Sequence, residues 1–322
     1  MYRLNCFVLF VLIPLLFSSC VTTRNIQIET LQPARLTIDG ARNNIAVVTS
    51  QTLLDESVNA SEGLAVNVPT DSLIRNILFS FQYFLETMPG YENATFTAFT
   101  TTTEELADYS DFDLLAQLDR LQINNAYYGQ QYSFYEWEAF LYVHYAANWT
   151  LRNNSGAIID DYTDRDLLIW RSGIQPGKAE AVNNLPAMKD AWWDTGIALA
   201  QRHALRIAPN WQKSSRTIYM INKFPELSQL AYRAMQNDAY MRAIDMWESM
   251  LMLCRKNGQK NMKSQIYYNL AVAFEFQNQL EQALHWAQRS ANQKSRTKTT
   301  NYINYLKERQ RNQILLDGQL NN

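Results

Sequence analysis

The sequence contains few residues of the kinds that form disulfides, metal sites or catalytic triads. It has three cysteines and three histidines among 322 residues. His144, His203 and His285 are far apart in the chain, and none has the spacing of a zinc ligand. The Gly-x-Ser-x-Gly elbow of serine hydrolases, the phosphate-binding loop and the dinucleotide-binding fingerprint are all absent. We therefore expect a protein that is not an enzyme and that binds neither a cofactor nor a metal.

The first 20 residues have the parts of a secretory leader. Arg3 supplies the basic start, an apolar run extends from Phe7 to Phe17, and two small serines precede Cys20. The run is too short to be a membrane-spanning helix. A cysteine after two small residues fits lipoprotein processing, in which acyl chains anchor the new N-terminus in a membrane. We predict that residues 1–20 are a signal peptide and that Cys20 is lipidated.

The remaining cysteines exclude an intramolecular disulfide in the processed chain. Phe17 differs from the commonest lipoprotein residue at its position, and the alternative is an ordinary cleaved leader with an incidental cysteine. Cys6 leaves with the leader, and with Cys20 lipidated only Cys254 is free. Cys254 ends the apolar run that begins at Met250, which favours a buried thiol over a reactive one.

Charge is distributed unevenly along the chain. From Val21 to Gln212 there are 12 Lys and Arg against 23 Asp and Glu, whereas from Lys213 to the end there are 16 against 8. The hydrophobic pattern changes at about the same place, so we predict an α/β domain at residues 21–222 and an all-α domain at residues 223–322. The basic residues of the second domain are scattered along helices and form no nucleic-acid-binding motif, so nucleic acid is not an expected partner.

The first domain alternates between strand and helix patterns. We predict strands at residues 45–49, 95–100 and 217–221, and helices at residues 70–85 and 186–207. Thr102 and Glu105 have the spacing of a capping box, which predicts a further short helix that ends near Leu121.

The most distinctive segment of the first domain is a long strand. Between Glu136 and Arg152 apolar residues alternate strictly with other residues, which predicts a core face that includes Trp137 and Leu151. The opposite face carries Phe140, Tyr142 and His144. This mixture of aromatic and polar groups is a candidate surface for stacking against a glycan.

A turn at residues 153–156 returns the chain along residues 157–170 as an antiparallel partner. If the turn centres on Asn154 and Ser155, His144 lies opposite Arg165. Strands, helices and a long hairpin together predict an α/β or α+β domain whose sheet is at least partly antiparallel.

Two groups of acidic residues are candidates for chemistry. Four aspartates lie between Asp160 and Asp166, but the segment lacks the Gly and the distal Glu of a calcium loop, so a solvated hairpin is the favoured interpretation. Glu136 and Glu138 share one face of the predicted strand and form a carboxylate pair. Glycosidase carboxylates usually come from separate elements, which weakens the case for a hydrolase.

From Phe224 onward the pattern is helical and repeats itself. The segment Tyr267-x-x-Leu270-Ala271-x-x-Phe274 follows the tetratricopeptide template, and a degenerate copy starts 40 residues upstream at Leu227. A capping helix is predicted near residues 299–316. By the template, the residues that line a partner-binding groove are Tyr232, Met235, Gln236, Tyr268, Val272, Glu275 and Phe276. The alternative is that these residues pack against the first domain.

Four features occur in a fixed order: the Phe17-Ser18-Ser19-Cys20 leader, the Asn44-Ile45-Ala46-Val47-Val48 strand, the Arg206-Ile207-Ala208-Pro209-Asn210-Trp211 segment and the terminal repeats. This order resembles a Bacteroidales envelope lipoprotein family of unknown function, with an N-terminal α/β domain and C-terminal tetratricopeptide-like repeats. The N-terminal arrangement is also similar in outline to the periplasmic domains of TolB and the curli-secretion lipoproteins. The resemblance implies no catalytic residue.

The resemblance also implies a location and a modification. Lipoproteins of such bacteria that reach the cell surface usually carry an acidic tag after the cysteine, and Val21–Asn25 contains no acid. We therefore expect the periplasmic face of the outer membrane. The same organisms O-glycosylate an Asp-Ser/Thr-apolar sequon, which makes Ser72 a candidate, although Asp71 suits a helix N-terminus equally well.

These observations favour a non-enzymatic, lipid-anchored envelope protein that binds another envelope component, as a scaffold or assembly factor, through its repeats. The alternative is a glycan-binding or glycan-active lipoprotein that uses Phe140, Tyr142 and His144. A hydrolase built around Glu136 and Glu138 is the third hypothesis.

Overall fold

The computed structural model describes residues 22–38, 40, 42–50, 70–101, 111–254 and 259–321. The chain forms two compact units. One, the sheet unit, comprises Gln32–Asn210 and Leu315–Asn322, and the other, the helical unit, comprises the chain up to Leu31 and Trp211–Ile314. Cys20 lies outside the described residues, and so does the Thr102–Glu105 capping box.

The strands are β1 (Thr23–Gln32), β2 (Asn44–Ser50), β3 (Thr95–Thr101), β4 (Leu114–Gln131), β5 (Trp137–Asn153), β6 (Ile158–Arg171) and β7 (Asn210–Tyr219). The helices are α1 (Thr70–Glu86), α2 (Lys178–Asn183), α3 (Met188–Ile207), α4 (Pro225–Gln236), α5 (Tyr240–Met252), α6 (Lys260–Phe276), α7 (Leu280–Gln293) and α8 (Thr297–Asn321). A mixed sheet with helices, followed by consecutive helices, agrees with the predicted fold class. Among the described residues no helix is long and apolar enough to cross a membrane.

The sheet unit is built on five strands in the order β3-β2-β4-β5-β6. β2 pairs in parallel with β3 and β4, whereas β4, β5 and β6 pair antiparallel. The sheet is therefore partly antiparallel, as predicted. The predicted core face of β5 is confirmed, because the alternate residues from Ala139 to Leu151 are buried.

Helices α1 and α3 pack against each other within the sheet unit and contribute to the same core. They pack closely at Gly196 of α3, where an added Cβ would lie 3.1 Å from Ile77 Cγ1 and 3.2 Å from Leu73 Cδ1 on α1. A side chain at this position would force the helices apart, so the absence of a Cβ sets their spacing.

The register of the β5–β6 hairpin differs from the prediction by two residues. His144 pairs with Leu167, and Arg165 pairs with Ala146. The first residue of the shift comes from a three-residue loop that ends at Gly156, whose φ of 77° is in the left-handed region. The second comes from a bulge at Ile159, because Arg152 pairs with Ile158 but Leu151 pairs with Asp160.

The prediction of a helix that ends near Leu121 is wrong. Residues from Leu114 onward form β4, an 18-residue strand and the longest partner of β5. Leu114, Leu118 and Leu121 have helical spacing, but Leu121 and Ile123 also begin a strand alternation that continues to Asn125. Pairing with β2 and β5 on both sides selects the strand.

The helical unit contains a two-stranded ribbon of β1 and β7 besides its helices. The ribbon is antiparallel, because the contacting residues run in opposite directions: Met220 N donates to Thr22 O at 2.9 Å, Thr217 contacts Asn25, and Lys213 pairs with Glu29. Ile26 and Ile218 turn into the core of the helices. The ribbon thus belongs to the helical core and not to the sheet.

The structure divides the chain differently from the predicted boundary at residue 222. The strand predicted at residues 217–221 begins at Asn210, and it belongs to the helical unit together with β1. The physical reason is that β7 hydrogen-bonds to β1 and buries its apolar residues among the helices, a relation between segments almost 200 residues apart that no local pattern reveals.

Candidate functional site

The predicted partner-binding groove is not an open surface. Tyr232, Met235, Tyr268, Val272 and Glu275 are buried, Phe276 is half-buried, and Gln236 alone of the seven is exposed. The groove assignment is therefore wrong for five residues. The ribbon and α8 of the same unit fill the space beside them.

The ribbon is held in that space by a side-chain clamp. Asn269 Oδ1 of α6 accepts a hydrogen bond from Tyr219 N, and Asn269 Nδ2 donates to Tyr219 O, both at 2.8 Å. Tyr232 adds a hydrogen bond from its hydroxyl to Asn25 O at 3.1 Å. Side chains of α4 and α6 thus satisfy backbone groups of both ribbon strands, as a neighbouring strand would.

Glu275 is the charged centre of the helical unit. Its side chain is fully buried, and it accepts two hydrogen bonds of 2.8 Å from Arg216 of β7. Arg309 donates a further bond at 2.9 Å, and the Tyr302 hydroxyl donates one at 2.7 Å, both from α8. Burial and the nearby carboxylate raise the pKa of Tyr302 well above its ordinary value. One carboxylate therefore joins the ribbon, α6 and α8.

The helical pairs α4–α5 and α6–α7 have equivalent turns. Asp238 and Asn278, 40 positions apart, have φ values of 56° and 57°. The next residue in each turn donates to a carbonyl five residues back, Ala239 N to Ala234 O and Gln279 N to Phe274 O, each at 2.9 Å. The four alanines at the helix contacts, Ala231, Ala243, Ala271 and Ala283, are fully buried.

The predicted glycan-stacking face is only partly accessible. Phe140 is buried by Tyr128 at 6.0 Å, by Tyr142 at 6.2 Å and by the Arg171 guanidinium at 5.4 Å. Tyr142 is half-buried, and His144 is exposed. Phe140 therefore cannot serve as an open platform, because its ring is covered by its cross-strand neighbours.

The acidic residues are arranged by ion pairing. Asp160 accepts two hydrogen bonds of 2.8 Å from Arg206, and Asp164 lies 3.1 Å from Arg202, which also contacts Asp166. Three of the four clustered aspartates thus hold α3 against β6. Among the described residues no group of three or more His, Cys, Asp or Glu is placed to hold a metal ion.

The prediction that Glu136 and Glu138 form a carboxylate pair on one strand face is also wrong. Glu136 precedes β5 and is exposed in the loop, whereas Glu138 is on the strand and accepts a hydrogen bond of 2.7 Å from the Tyr132 hydroxyl. This hydrogen bond and the nearby carboxylate raise the pKa of Tyr132. Ser72, the candidate glycosylation site, is half-buried in the first turn of α1.

Two single residues complete the survey of titratable groups. Cys254 is buried as predicted, its thiol donates to Met250 O at 3.1 Å, and burial raises its pKa. His203 is fully buried, and its ring stacks on Trp149 with centroids 4.3 Å apart. Burial lowers the pKa of His203 to about 3. Both residues are packed in a core and neither faces solvent.

The end of the β4–β5 hairpin exposes a group of aromatic side chains. We define the hairpin-end surface as Tyr127, Tyr128, Tyr132, Phe134 and Tyr135. Their exposures range from 41% for Tyr127 to 81% for Phe134. Sequence reasoning missed this surface, although a signal was present in the Tyr132-Ser133-Phe134-Tyr135 run between two strands.

The loop that carries Tyr132, Phe134 and Tyr135 of this surface is held by its own hydrogen bonds. Tyr132 N donates to Glu136 O at 2.8 Å, and Gln131 Nε2 donates to Ser133 O at 3.0 Å. Phe134 and Tyr135 pack edge to face with centroids 4.9 Å apart. The aromatic side chains are therefore presented from a fixed backbone, which reduces the entropy lost on binding.

A pocket of about 210 Å³ adjoins the hairpin-end surface. Tyr127, Gly129 and Trp137 lie on the same face of the sheet as Ala139, and the short helix α2 supplies Lys178 and Val182 to the pocket wall. An added Cβ on Gly129 would lie 3.9 Å from the Trp137 ring. Lys178 Nζ lies 5.9 Å from the centre of that ring. The pocket is thus an aromatic cleft with one amine beside it and the Glu138 carboxylate in its lining.

Two domain-family models match parts of the chain. Residues 85–219 match a domain of unknown function, DUF8603, and residues 229–308 match another, DUF6340. Each match covers less than half of the chain. The segment between them includes the predicted domain boundary at residue 222. The structure divides the chain differently, and the boundary at 222 stays a prediction.

No curated protein matches the chain. Among solved structures, the chain is similar to the crystal structure of a neuraminyllactose-binding hemagglutinin homolog from Helicobacter pylori. The sequence identity is 11% and the TM-score is 0.33, over 53% of this chain and 97% of the other. A similarity of this size carries no argument about function.

Proposed function

We propose that the protein is a lipid-anchored protein of the bacterial envelope that binds another envelope component, as a scaffold or assembly factor, and that it is not an enzyme. The leader that ends at Cys20 supports the anchor. The observation that carries the binding role is the hairpin-end surface, which presents five exposed aromatic side chains, two at the end of β4 and three on an ordered loop. Exposed apolar patches of this kind mark interaction sites.

The proposed binding surface is on the sheet unit and not on the helices, where the sequence predicts it. We propose that α4–α7 are two tetratricopeptide-like repeats, supported by the equivalent left-handed turns at Asp238 and Asn278 and by the buried alanines at the helix contacts. Their groove holds the β1–β7 ribbon, so a partner has no access to Tyr268 or Val272 without unfolding that contact.

Aromatic side chains are suited to binding because they bury a large area with few rotatable bonds. Phe134 and Tyr135 are exposed in the loop. Residues 121–151 contain two acidic residues, Glu136 and Glu138, and no Lys or Arg. Glu138 accepts a hydrogen bond from Tyr132, so Glu136 is the exposed charge next to the two rings. A partner surface that is apolar and carries no carboxylate opposite Glu136 fits this end of the hairpin.

A site-specific crosslink tests the proposal. A photoreactive phenylalanine analogue replaces Phe134 in the full chain, and in a second strain it replaces Phe79, which is 61% exposed on α1 of the same unit. Irradiation of intact cells should give a defined crosslinked product from position 134 and not from position 79. Recovery of the same product from position 79, or none from position 134, contradicts the assignment.

Two variants complete the experiment. Replacing both Phe134 and Tyr135 with Ser should abolish recovery of that partner by a tag on the full chain. The double variant Phe79→Ser with Tyr83→Ser is the matched control, because it also removes two exposed aromatic rings. It should retain the partner, since it leaves the hairpin-end surface intact. Cys20→Ser tests the anchor separately. If Cys20 is lipidated, this variant should be released from the membrane fraction in a folded form. Retention of the Cys20→Ser protein in the membrane contradicts the anchor.

A further inference from the structure

The aromatic pocket beside the hairpin end shares Tyr127 and Tyr128 with the hairpin-end surface, but none of the loop residues Tyr132, Phe134 and Tyr135 lines it. Its side chains come from β4, β5 and α2, whereas Phe134 and Tyr135 lie in the loop between the strands. Its volume of about 210 Å³ is below the roughly 300–1,000 Å³ of pockets that enclose drug-sized ligands. It therefore has room for a single ring-sized group.

The walls of the pocket select a ligand with a flat apolar face. Trp137 and Tyr127 present their rings from the same face of the sheet, and Gly129 lies between them without a side chain. The missing side chain of Gly129 leaves this side of the Trp137 ring uncovered, because a Cβ at position 129 would lie in contact with the ring, 3.9 Å from Cε3 and Cζ3. A larger residue at 129 would occupy the cleft.

The polar side chains around the pocket are phenols and two charged groups, the Lys178 amine and the Glu138 carboxylate. Tyr127 has a phenol that is protonated at neutral pH and can donate, and burial raises its pKa further. Lys178 contributes one amine with three donors. The segment from Leu121 to Leu151 has no Lys or Arg, which disfavours nucleic acid. Ala181 and Val182 are the aliphatic residues of α2 in the wall, too few to line a site for an acyl chain.

We propose that this pocket binds one ring of a saccharide. A pyranose has an apolar C–H face that stacks on an aromatic ring and a rim of hydroxyl groups that accept and donate hydrogen bonds. This matches an aromatic floor with a phenol, the Lys178 amine and the Glu138 carboxylate beside it. This site replaces the face of Phe140, Tyr142 and His144, where the Phe140 ring is covered. The inference goes beyond the proposed scaffold role and does not depend on it.

Saturation-transfer difference NMR of the full chain tests the proposal with four named probes: the methyl glycosides of glucose, galactose and mannose, and N-acetylglucosamine. At least one probe should receive saturation. Gly129→Val should weaken that signal by about tenfold or more, because its side chain fills the cleft beside Trp137. Valine is favoured in strands, and Gly129 has ordinary strand geometry, so this variant is expected to fold.

Three further measurements decide between outcomes. Trp137→Ala should also lose the signal, and circular dichroism should show that both variants keep their secondary structure. Phe134→Ser should retain the signal, since its side chain is outside the pocket. Absence of transfer to all four probes overturns the proposal, and so does transfer that Gly129→Val leaves unchanged. A retained saccharide signal together with a lost crosslink at position 134 separates this inference from the scaffold role.

Discussion

Asn269 and Tyr219 are joined by two hydrogen bonds of 2.8 Å, in which the side-chain amide of one pairs with the backbone N–H and C=O of the other. Asn269 is fully buried. A helix side chain therefore takes the place of a third strand at the edge of the β1–β7 ribbon. This relation explains why the helical groove is closed and why the ribbon belongs to the helical unit.

Asn269→Ala should destabilise the helical unit by about 2–4 kcal/mol, because it leaves two backbone groups of Tyr219 buried without partners. Urea denaturation measures the loss, and hydrogen exchange at the Tyr219 amide should become faster. Asn301→Ala is the control, since Asn301 is exposed on α8. Equal stability of the two variants would show that the clamp contributes nothing.

Glu275→Gln should lower the free energy of unfolding by about 3–5 kcal/mol, because Arg216 and Arg309 would then be buried without a countercharge. The substitution keeps the shape of the side chain, so the effect isolates the charge. Glu281→Gln, at an exposed position of α7, should change stability by less than about 0.5 kcal/mol. Thermal and urea unfolding of the two variants provide the comparison.

His203 should make the sheet unit less stable as the pH falls. Its pKa is about 3 in the folded state and about 6.5 in the unfolded state, so between these values only the unfolded state binds the proton. The free energy of unfolding should therefore decrease below pH 6.5, by up to about 1.4 kcal/mol per pH unit from this group. At pH 8 the contribution is fully present.

His203→Phe should flatten this dependence between pH 4 and pH 6.5, since the ring can still stack on Trp149 but cannot titrate. The quantity to compare is the slope of unfolding free energy with pH, because the absolute stability also changes with packing. His285→Gln, at an exposed position, should leave the slope unchanged. A slope that survives His203→Phe would assign the effect to other groups.

The two helical glycines at positions 196 and 318 should respond in opposite directions to alanine. Gly196→Ala places a Cβ 3.1 Å from Asn76 Nδ2 and Ile77 Cγ1, so we expect a loss of about 1–3 kcal/mol despite the gain in helix propensity. Gly318→Ala meets no atom within 4 Å, so the gain in helix propensity should appear as about 0.5–1 kcal/mol of stabilisation. Thermal unfolding distinguishes the two outcomes, and a stabilised Gly196→Ala would contradict the close packing of α1 and α3.

Local patterns in the sequence predict most of the individual elements. The alternation in β5, the helical spacing in α1 and the repeated helices after Phe224 are each confirmed, because each depends on residues only two to four positions apart. The residues of β4 fit both a helix and a strand over their first two turns. Only the partners β2 and β5 decide between the two.

The candidate sites were harder to predict than the elements, because access depends on contacts between distant residues. Template positions place Tyr268 and Glu275 on a groove, and the structure fills that groove with Tyr219, Arg216 and Tyr302. Likewise, alternation places Phe140 on the outer face of the sheet, but its exposure is set by Tyr128 on the adjacent strand.

The sequence by itself determined the identity of the long strand and the helical character of the C-terminal third, since these follow from composition and hydrophobic period along a continuous segment. Only the tertiary structure decided the hairpin register, the position of the ribbon among the helices and the exposure of the hairpin end. The reason is physical: a bulge of one residue shifts every later pair, and a side chain becomes buried only when an element remote in sequence covers it.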